Sequence, residues 1–404
     1  MTGKKQSVIL KEIKKKQLQN IEVLCRKHGR KNSVSDKVIY YRKVNGEEMK
    51  NNTKMSVCII TRDQQDKLRK CLTALKPYPM QVVVADTGSL DDSRKVARKF
   101  TPFVYDLDWK DDFAAAKNAA VEKAEEDLVL VLDTDEYLET FHYEELCRLA
   151  EENLGSVGRI ERQSKYSQDG QEQEYDEWIN RIFDRRLFHY RGMIHEQLVR
   201  KEEDAPYSTY LAPVRIWHDG YDLSQAEYRK KAERNITLLC KALEKTPEDP
   251  YLLYQLGKSY YILPDYAKAG RQFELAMGYH PDLALEYVED LIETYGYALL
   301  KTQQAERAME LLEYEPVFAK SADFLFLAGM IRMNNTRFEE AVATFLKATG
   351  LKPARTRGTN SYMAWYNAGV IRECMGKVSE AAEFYRMCGD YEPARKGLRR
   401  MIKN

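Results

Sequence analysis

Two aspartates placed two residues apart, Asp133 and Asp135, are the side chains of this sequence best suited to chemistry. They follow the apolar run 128–132, whose branched aliphatic residues and charged borders are typical of a buried strand. Side chains alternate faces along a strand, so we expect both carboxylates to point into one space at its carboxyl end. Converging carboxylates repel unless a proton or cation lies between them, and hard oxygen ligands suit Mg²⁺ or Mn²⁺. The pair therefore predicts a metal ion held against a diphosphate; a solvated turn is the alternative.

Short strands and helices alternate around this pair. The pattern predicts strands over residues 56–61 and 81–85, with a helix between them. Strands that alternate with helices indicate a mostly parallel sheet, which the strand ending at Asp133 extends. Such sheets bind ligands at the carboxyl ends of their strands, and Asp86 stands at such an end. Its carboxylate can accept bonds from N–H or hydroxyl groups there, or it can cap the next turn instead.

From about Tyr228 onward the sequence is helical and repetitive. A unit of about 34 residues that starts at Pro250 recurs from Ala322 and from Tyr362, with a degenerate copy around Gly296. Matching small residues let the two helices of a unit approach closely, and a proline ends the second helix, as in tetratricopeptide repeats. In the first copy these positions are Leu253, Leu256, Gly257, Tyr260, Ala269, Phe273, Ala276 and Pro281. We expect an all-α solenoid over residues 226–404; generic amphipathic helices are the alternative.

The bulk composition narrows the class of protein. The sequence has 404 residues, a net charge of +1 and 44% hydrophobic residues, enough for two or three domains with real cores. No apolar stretch approaches the ~20 residues of a membrane span, and no signal-type apolar core follows the first residues. Seven scattered cysteines without a Cys-x-x-Cys pair argue against a disulfide framework and a zinc site. We therefore expect a cytoplasmic protein with no transmembrane segment.

Charge is unevenly distributed along the sequence. Residues 1–54 hold 15 Lys or Arg and 5 Asp or Glu, whereas the remainder is acidic. Leu10, Ile13, Ile21 and Leu24 recur at roughly helical spacing, so we expect a basic helical amino-terminal arm. Such an arm can bind an anionic membrane, a nucleic acid or an acidic protein face. We favour docking on the acidic body of the chain itself, and expect no nucleic acid partner.

Six short motifs between Met55 and Tyr221 occur in an order that resembles family-two glycosyltransferases with the nucleotide-diphospho-sugar (GT-A) fold. They are residues 57–63 (VCIITRD), 86–93 (DTGSLDDS), 109–118 (WKDDFAAAKN), 132–136 (LDTDE), 192–196 (GMIHE) and 217–221 (WHDGY). Each motif is modest alone, but six in this order are specific. The resemblance implies an α/β GT-A domain over residues 55–225, followed by the tetratricopeptide-repeat domain.

The resemblance also implies that a UDP-sugar is the donor substrate. The donor-binding residues would be Thr61, Arg62, Asp63, Asp86, Gly88, Ser89, Trp109, Asp112, Lys117, Asn118, Asp133 and Thr134. Asp86 would contact the base or the ribose of the uridine, which agrees with the chemistry of a carboxylate at a strand end. Lys117 stands where arginine is more usual, and this replacement loses a bidentate fork for phosphate.

A metal ion and a base complete the implied site. Asp133 would face the ribose and the metal, Asp135 would ligate Mg²⁺ or Mn²⁺, and His218 would be a third ligand; a structural histidine is the alternative. Inverting transfer needs a base that takes the acceptor's proton as the acceptor attacks the anomeric carbon. Glu196 is the first candidate for this base and His195 the second. The alternative is that both residues shape the acceptor pocket through hydrogen bonds.

Three functions compete for this sequence. The first is inverting transfer of a sugar to a Cys or Ser side chain of a peptide or protein, because the layout resembles bacteriocin S-glycosyltransferases of the sublancin type. The second keeps the chemistry on a lipopolysaccharide core or surface polysaccharide. The third is a non-catalytic repeat scaffold, against which the retained acidic and histidine residues argue. Repeat solenoids hold extended peptides, so we expect the repeats to bind the acceptor or to form a homodimer, and not to bind the donor.

Overall fold

Two kinds of structure follow each other along the chain, a sheet part over residues 55–219 and a helical part over residues 225–402. The structure is a computed structural model that describes residues 55–168, 171–202, 205–219 and 225–402. The basic arm expected at 1–54 lies outside the described residues, as do Gly220 and Tyr221 of the last motif. The sheet part and the helical part belong to one compact unit.

The sheet part is built around one large sheet and a separate hairpin. Its strands are β1 (Ser56–Thr61), β2 (Gln81–Asp86), β3 (Val104–Asp106), β4 (Leu128–Asp133), β5 (Glu136–Phe141), β6 (Val157–Gln168), β7 (Gln171–Asp184), β8 (Phe188–Arg191), β9 (Gln197–Arg200) and β10 (Thr209–His218). The large sheet has the order β3-β2-β1-β4-β7-β6-β10-β5, and β8 pairs with β9. Strands β1 to β4 are parallel, as are β6 and β10, whereas β7 and β5 run antiparallel to their neighbours. The predicted mostly parallel sheet is confirmed.

Helices cover both faces of this sheet. They are α1 (Gln65–Leu75), α2 (Ser93–Ala97), α3 (Phe113–Glu122) and α4 (Tyr143–Glu152). Because strand side chains alternate, Val57 and Ile59 of β1 pack with α1 on one face, while Cys58 packs with α3 on the other. The predicted inward face of α1 is buried, and it consists of Leu68, Cys71, Leu72 and Leu75.

The connection between β4 and β5 shows that the sheet curls. Only Thr134 and Asp135 separate the two strands, yet β5 is the last strand in the sheet order. The three steps from Asp133 to Glu136 span at most about 10 Å, so the far edge of the sheet must return to the end of β4. The strand ends at Asp133, and Asp135 lies in the turn. Our expectation that strand alternation aims both aspartates into one space is therefore wrong in its mechanism.

The helical part consists of antiparallel helix pairs. They are α5 (Gln225–Leu243), α6 (Pro250–Ile262), α7 (Tyr266–Gly278), α8 (Glu286–Lys301), α9 (Ala305–Ala308) with a 3₁₀ helix (Met309–Tyr314), α10 (Ala322–Asn334), α11 (Phe338–Thr349), α12 (Tyr362–Cys374), α13 (Val378–Met387) and α14 (Glu392–Ile402). A Cβ atom added to Gly329 of α10 would lie 2.5 Å from the ring of Phe345 of α11, so glycine is needed for this approach. The same approach recurs in two other repeats, in the pairs Gly257–Phe273 and Gly369–Tyr385. The predicted repeat solenoid is confirmed.

Contacts far apart in sequence join the two parts. Nη1 and Nη2 of Arg159 on β6 bind the carboxylate of Glu286 on α8, at 2.5 and 2.7 Å. The backbone of Tyr175 on β7 forms an antiparallel bridge with Thr356, in the loop between α11 and α12. No helix among the described residues is both long and apolar enough to cross a membrane.

Candidate active site

A buried lysine joins two of the predicted site residues. Lys117 lies on α3 with only 3% of its side chain exposed, and its Nζ atom is 2.9 Å from Oδ1 of Asp133 and 2.6 Å from Oε1 of Glu196. Burial alone would lower the pKa of Lys117, but the two carboxylates outweigh burial and raise the pKa above its usual value. Lys117 is therefore a fixed positive charge between the end of β4 and the hairpin that carries Glu196.

An arginine occupies the other side of Asp133. Nη2 of Arg181, on β7, is 2.8 Å from Oδ2 of Asp133 and 2.7 Å from Oε1 of Glu136. Glu136 is fully buried, and its Oε2 atom accepts a hydrogen bond from the backbone N–H of Asp133 at 2.9 Å. Burial opposes the charged form of Asp133, yet Lys117 and Arg181 reverse this effect and hold its pKa well below the usual range. Asp133 is a carboxylate with a cation at each oxygen.

Asp135 and His218 form a second pair beside these charges. Thr134 fastens the turn by donating its hydroxyl to the carbonyl oxygen of Ile60 at 2.8 Å. Oδ2 of Asp135 then lies 3.7 Å from Nε2 of His218, whose Nδ1 atom is 3.2 Å from Oγ of Ser164. Burial lowers the pKa of His218, and the charge of Asp135 offsets burial only in part. A carboxylate and an imidazole at this separation are ligands that one divalent cation can bridge.

These two ligands are fewer than a protein-only metal site requires. No group of three or more His, Cys, Asp and Glu within the described parts of the chain is arranged to hold a metal. Mg²⁺ is usually bound through one or two protein carboxylates, together with water and the phosphates of a substrate. The arrangement of Asp135 and His218 fits a metal that binds together with a diphosphate, rather than a structural metal centre.

The carboxyl ends of β1 and β2 form a polar corner with incomplete hydrogen bonding. Asp86 is fully buried, and its Oδ1 atom accepts hydrogen bonds from the backbone N–H groups of Gly88 at 3.0 Å and Ser89 at 2.8 Å. Its Oδ2 atom is buried without a hydrogen-bond partner among the described residues, and so is Oγ1 of Thr61, its neighbour in register. Buried polar atoms rarely stay unpaired, so this corner is suited to a ligand that supplies donors and acceptors.

The loops after β1 and β2 hold each other in place at this corner. Asp63 has a φ of +49°, and its backbone N–H donates to Oγ of Ser89 at 2.9 Å. Its Oδ1 atom accepts from the N–H groups of Leu90 at 2.6 Å and Asp91 at 3.3 Å. The carboxylate of Asp63 is thus used to join the loops, while the neighbouring Arg62 is about half exposed beside the corner.

The turn between β8 and β9 carries the two candidate bases. Gly192 and His195 have φ values of +100° and +50°, and the N–H of Phe113 donates to the carbonyl of Met193 at 2.8 Å. This bond fixes the turn to the start of α3, from which Lys117 reaches Glu196. Nε2 of His195 is buried without a partner among the described residues, and burial lowers the pKa of His195 to about 4, against a smaller opposite effect of the Glu196 charge.

Side chains at the start of α3 are committed to local contacts. Oδ1 of Asp112 caps α3 by accepting the backbone N–H three residues later at 2.8 Å. Nε1 of Trp109 donates to Oδ1 of Asp111 at 2.9 Å. Asn118 binds the backbone of Tyr190 in both directions, donating to its carbonyl and accepting from its N–H, each at 2.8 Å. These contacts stabilise the walls of the site, and the donor-binding roles of Trp109, Asp112 and Asn118 stay predictions.

The first helix of the helical part covers this side of the sheet part. Nζ of Lys241 on α5 lies 2.9 Å from Oδ2 of Asp111, and the guanidinium of Arg234 lies 5.3 Å from the ring centre of Phe113. Ile194 of the hairpin turn is buried against Leu238 of the same helix. The turn that carries Glu196 is therefore packed between α3 and α5.

Comparisons with known proteins agree with this layout. A family model described as glycosyl transferase family 2 matches residues 56–198, and a tetratricopeptide-repeat model matches residues 322–355. A TPR repeat-containing protein of Synechococcus elongatus is 30% identical over 285 residues, which cover 68% of this chain and 68% of that protein. The chain belongs to the family-2 glycosyltransferases that carry tetratricopeptide repeats.

The glycosyltransferase SunS of Bacillus phage SPbeta is a further relative of this enzyme. It is 25% identical over 228 residues, which cover 53% of this glycosyltransferase and 51% of SunS. The solved structure of YrrB, a TPR protein with an unusual peptide-binding site, matches with 24% identity and a TM-score of 0.36, covering 42% of this chain and 84% of YrrB. MamA matches with 17% identity and a TM-score of 0.34, covering 45% of this chain and 97% of MamA.

The glycosyltransferase brings its predicted residues together in two groups. The first is the corner of β1 and β2, with Thr61, Arg62, Asp63, Asp86, Gly88 and Ser89. The second contains the turn after β4, the hairpin turn and the end of β10, with Lys117, Asp133, Thr134, Asp135, Glu196 and His218. Asp133 and Asp135 do not share one partner among the described contacts, because Asp133 binds Lys117 and Arg181 while Asp135 faces His218.

Sequence reasoning missed Arg181 and Glu136, which hold Asp133. A signal was present, because Arg181 directly precedes the apolar residues Ile182 and Phe183, both of which are buried. A buried arginine needs a carboxylate partner, and Glu136 directly follows the aspartate motif. The segment from Tyr228 was predicted helical, but sequence reasoning missed the contacts of α5 with the start of α3, which join residues as far apart as Asp111 and Lys241.

Proposed function

We propose that this glycosyltransferase moves a sugar from a UDP-sugar, with inversion, to a Cys or Ser side chain of a peptide or protein. The observation that carries the proposal is the bridge of Lys117 between Asp133 and Glu196. Asp133 lies at the carboxyl end of β4, where sheets of this kind bind ligands, and Glu196 lies in a turn that adjoins the helical part. One buried cation thus couples the proposed donor side to the proposed acceptor side.

The donor side is proposed from the unpaired polar atoms and the second pair of ligands. The corner with Oδ2 of Asp86 and Oγ1 of Thr61 suits the N–H and hydroxyl groups of a uridine. Asp135 and His218 would hold Mg²⁺ or Mn²⁺, which, when bound, neutralises the diphosphate and makes UDP a better leaving group. Both oxygens of Asp133 already face cations, which favours a role in positioning Lys117 over direct metal ligation.

Transfer requires a base on the acceptor side. The acceptor's oxygen or sulfur forms the new bond to the anomeric carbon while the bond from that carbon to the diphosphate breaks, and the acceptor's proton passes to the base. Glu196 is the proposed base because it lies in the turn beside the helical part, where Lys117 holds its Oε1 atom at 2.6 Å. His195 stays the second candidate, and its buried Nε2 atom has no hydrogen-bond partner among the described residues.

The acceptor is proposed to reach Glu196 along the repeats. Ile194 and Leu256 of α6 belong to one hydrophobic cluster, and Nε2 of Gln197 donates to the hydroxyl of Tyr251 on the same helix at 2.6 Å. The first repeat thus begins beside the turn that carries the proposed base. A peptide held by the solenoid can present its side chain there, and the same repeats are the proposed surface for a homodimer.

The test combines nucleotide binding with transfer. The full chain is titrated with UDP in Mn²⁺, in Mg²⁺ and in a chelator, and is then incubated with UDP-sugars and Cys- or Ser-containing peptides. We expect metal-dependent UDP binding, and a peptide mass increase of one sugar. Asp135→Asn should remove the metal dependence, whereas Asp390→Asn in the last repeat, whose side chain is 93% exposed, should not.

Two other outcomes would change the proposal. Transfer to a lipopolysaccharide core or another surface polysaccharide, with no modified peptide, would keep the chemistry and replace the acceptor. Absence of UDP binding with either metal would contradict the donor assignment. Light scattering on the same samples gives the mass per particle, and a monomer at all concentrations would remove the proposed homodimer.

A further inference from the structure

A stripe of side chains on α5 faces the site. Lys231 and Leu238 are seven residues apart, which is two helical turns, so they lie on the same stripe of the helix. Leu238 is buried against the hairpin turn that carries Glu196. Arg234, one turn from both, lies over the ring of Phe113 at the start of α3. The helical geometry therefore turns Lys231 towards the sheet part, one turn beyond the contacts that α5 makes there.

The charged groups that act on Lys231 agree with this orientation. Burial lowers the pKa of Lys231, and the charges of Asp135 and Asp133 oppose this effect. Beyond the effect of their own burial, both His218 and His195 have their pKa lowered further by the Lys231 charge. Lys231 is thus within electrostatic reach of the proposed metal ligands and of the hairpin turn at the same time.

Lys231 nevertheless has no anionic partner of its own. It forms no ion pair within 4.0 Å and no side-chain hydrogen bond among the residues that the structure describes, although the charges of Asp135 and Asp133 act on it. Asp133 is already paired with Lys117 and Arg181. A partly buried cation that faces a site without an ion-pair partner is suited to an anionic ligand, and ammonium groups bind phosphate oxygens as compact point charges.

We propose that Lys231 donates a hydrogen bond to the diphosphate of the bound donor and remains with the departing UDP, so that the helical part supplies a residue of the donor site. This inference rests on the proposed function, because it needs a nucleoside diphosphate between Asp135 and the hairpin turn. A metal ion cancels only two charges of a diphosphate, and a second cation on the other side of the group completes the neutralisation. We expected the repeats to leave the donor to the sheet part; under this proposal Lys231 is an exception.

The experiment compares UDP with uridine, which lacks the phosphates. Affinities of both are measured by ligand-observed NMR titration for the full chain, for Lys231→Gln, for Lys231→Arg and for Lys230→Gln. Lys230 is the matched control, because it is the adjacent lysine of the same helix and is exposed. All four proteins are first compared by circular dichroism and urea unfolding.

We expect Lys231→Gln to weaken UDP binding by about tenfold, as for one lost charge-assisted hydrogen bond, and to leave uridine binding unchanged. Lys231→Arg should retain most of the affinity for UDP, and Lys230→Gln should match the unsubstituted chain for both ligands. The UDP difference should be the same in Mg²⁺ and in Mn²⁺, because the lost contact is to the diphosphate and not to the metal.

Two results would overturn the inference while leaving the proposed function in place. One is unchanged UDP affinity in Lys231→Gln, and the other is an equal loss for UDP and uridine, which would indicate a structural role. If the unsubstituted chain binds neither UDP nor uridine, the proposed function itself fails, and this inference fails with it. If Lys231→Gln does not fold, the Lys231→Arg comparison decides, since loss of UDP affinity with the charge kept would contradict the proposal.

Discussion

Nζ of Lys117 lies 2.6 Å from Oε1 of Glu196, in an ion pair whose lysine side chain is only 3% exposed. The same Nζ atom also binds Asp133, so replacing Lys117 and replacing Glu196 should have different effects. Removing the negative charge of Glu196 leaves Lys117 with Asp133 as its counter-ion. Removing the positive charge of Lys117 leaves two carboxylates facing each other in a partly buried site. A substitution of Glu196 therefore tests transfer, and a substitution of Lys117 tests stability.

We expect Glu196→Gln to lower the turnover number on the order of 100-fold or more, as for loss of a general base. The affinity for UDP should stay within about twofold, because the amide oxygen of Gln can still accept a hydrogen bond from Lys117. The measurement is kcat for transfer to a Ser peptide, together with the Kd for UDP. A Cys peptide should show a smaller loss, since a thiol with a lowered pKa needs less help from a base.

Glu244→Gln is the matched control for this substitution. Glu244 follows α5 and is exposed, so its replacement removes the same charge without touching the site. Turnover of the control should equal that of the unsubstituted enzyme. If Glu196→Gln lost UDP affinity and kept its turnover number, Glu196 would belong to the donor pocket and not to the acceptor side.

We expect Lys117→Met to lower the free energy of unfolding by about 3 kcal/mol, because removing one partner of a buried ion pair leaves uncompensated charges. Urea unfolding followed by circular dichroism measures this loss. Lys123→Met is the control, since Lys123 directly follows α3 and is exposed, with its Nζ atom 5.4 Å from the ring centre of Tyr105. Equal stability of the two variants would show that the fold does not depend on the buried bridge.

The sheet and the repeats were predictable from the sequence because they rest on short-range patterns, and so were the motifs that supply the candidate site. Alternation placed Val57 and Cys58 on opposite faces of β1, and the repeat period placed Gly329 opposite Phe345. The curl of the sheet was not accessible, because it depends on β10 pairing with β5 across the whole domain. This curl moves Asp135 out of the strand and puts it beside His218.

The partners of the charged residues were the other part that the sequence did not reveal. Asp133 looked like a metal ligand because nothing in its own motif shows that Arg181, 48 residues later, reaches its Oδ2 atom. A motif of a few residues does not show whether a metal ion or a distant cationic side chain binds its carboxylate. The proposed role of Lys231 could not be predicted either, because it depends on residues far away in the sequence and its own segment has the pattern of a repeat helix.

The buried imidazole of His195 predicts a specific dependence of stability on pH. Burial lowers its pKa from the usual value to about 4 in the folded chain, so the unfolded chain binds a proton more readily between these values. The neutral ring therefore contributes stability that is present above about pH 6.5 and is lost as the pH falls to about 4. We expect the unfolding free energy of the unsubstituted chain to fall on the order of 2 kcal/mol more than that of His195→Gln over this range.

Urea unfolding at intervals between these pH values measures this difference. All other titrating groups are shared by the two proteins, so the difference between the two curves isolates position 195. Parallel curves would mean that the imidazole is protonated as easily in the folded chain as in the unfolded chain. A His195→Gln variant that loses stability faster than the unsubstituted chain on acidification would contradict the direction of the pKa change.

The repeats offer a matched pair of glycines for the last prediction. An added Cβ on Gly329 of α10 would lie 2.5 Å from the Phe345 ring, whereas a Cβ on Gly270 of α7 would meet nothing within 4 Å. We expect Gly329→Ala to lower the unfolding free energy by about 1–3 kcal/mol through overpacking. Gly270→Ala should raise it by up to about 1 kcal/mol, because alanine is the better helix former where space is open. Amide hydrogen exchange should show the loss in α10 and α11, and equal changes in both variants would contradict the close packing of these repeat helices.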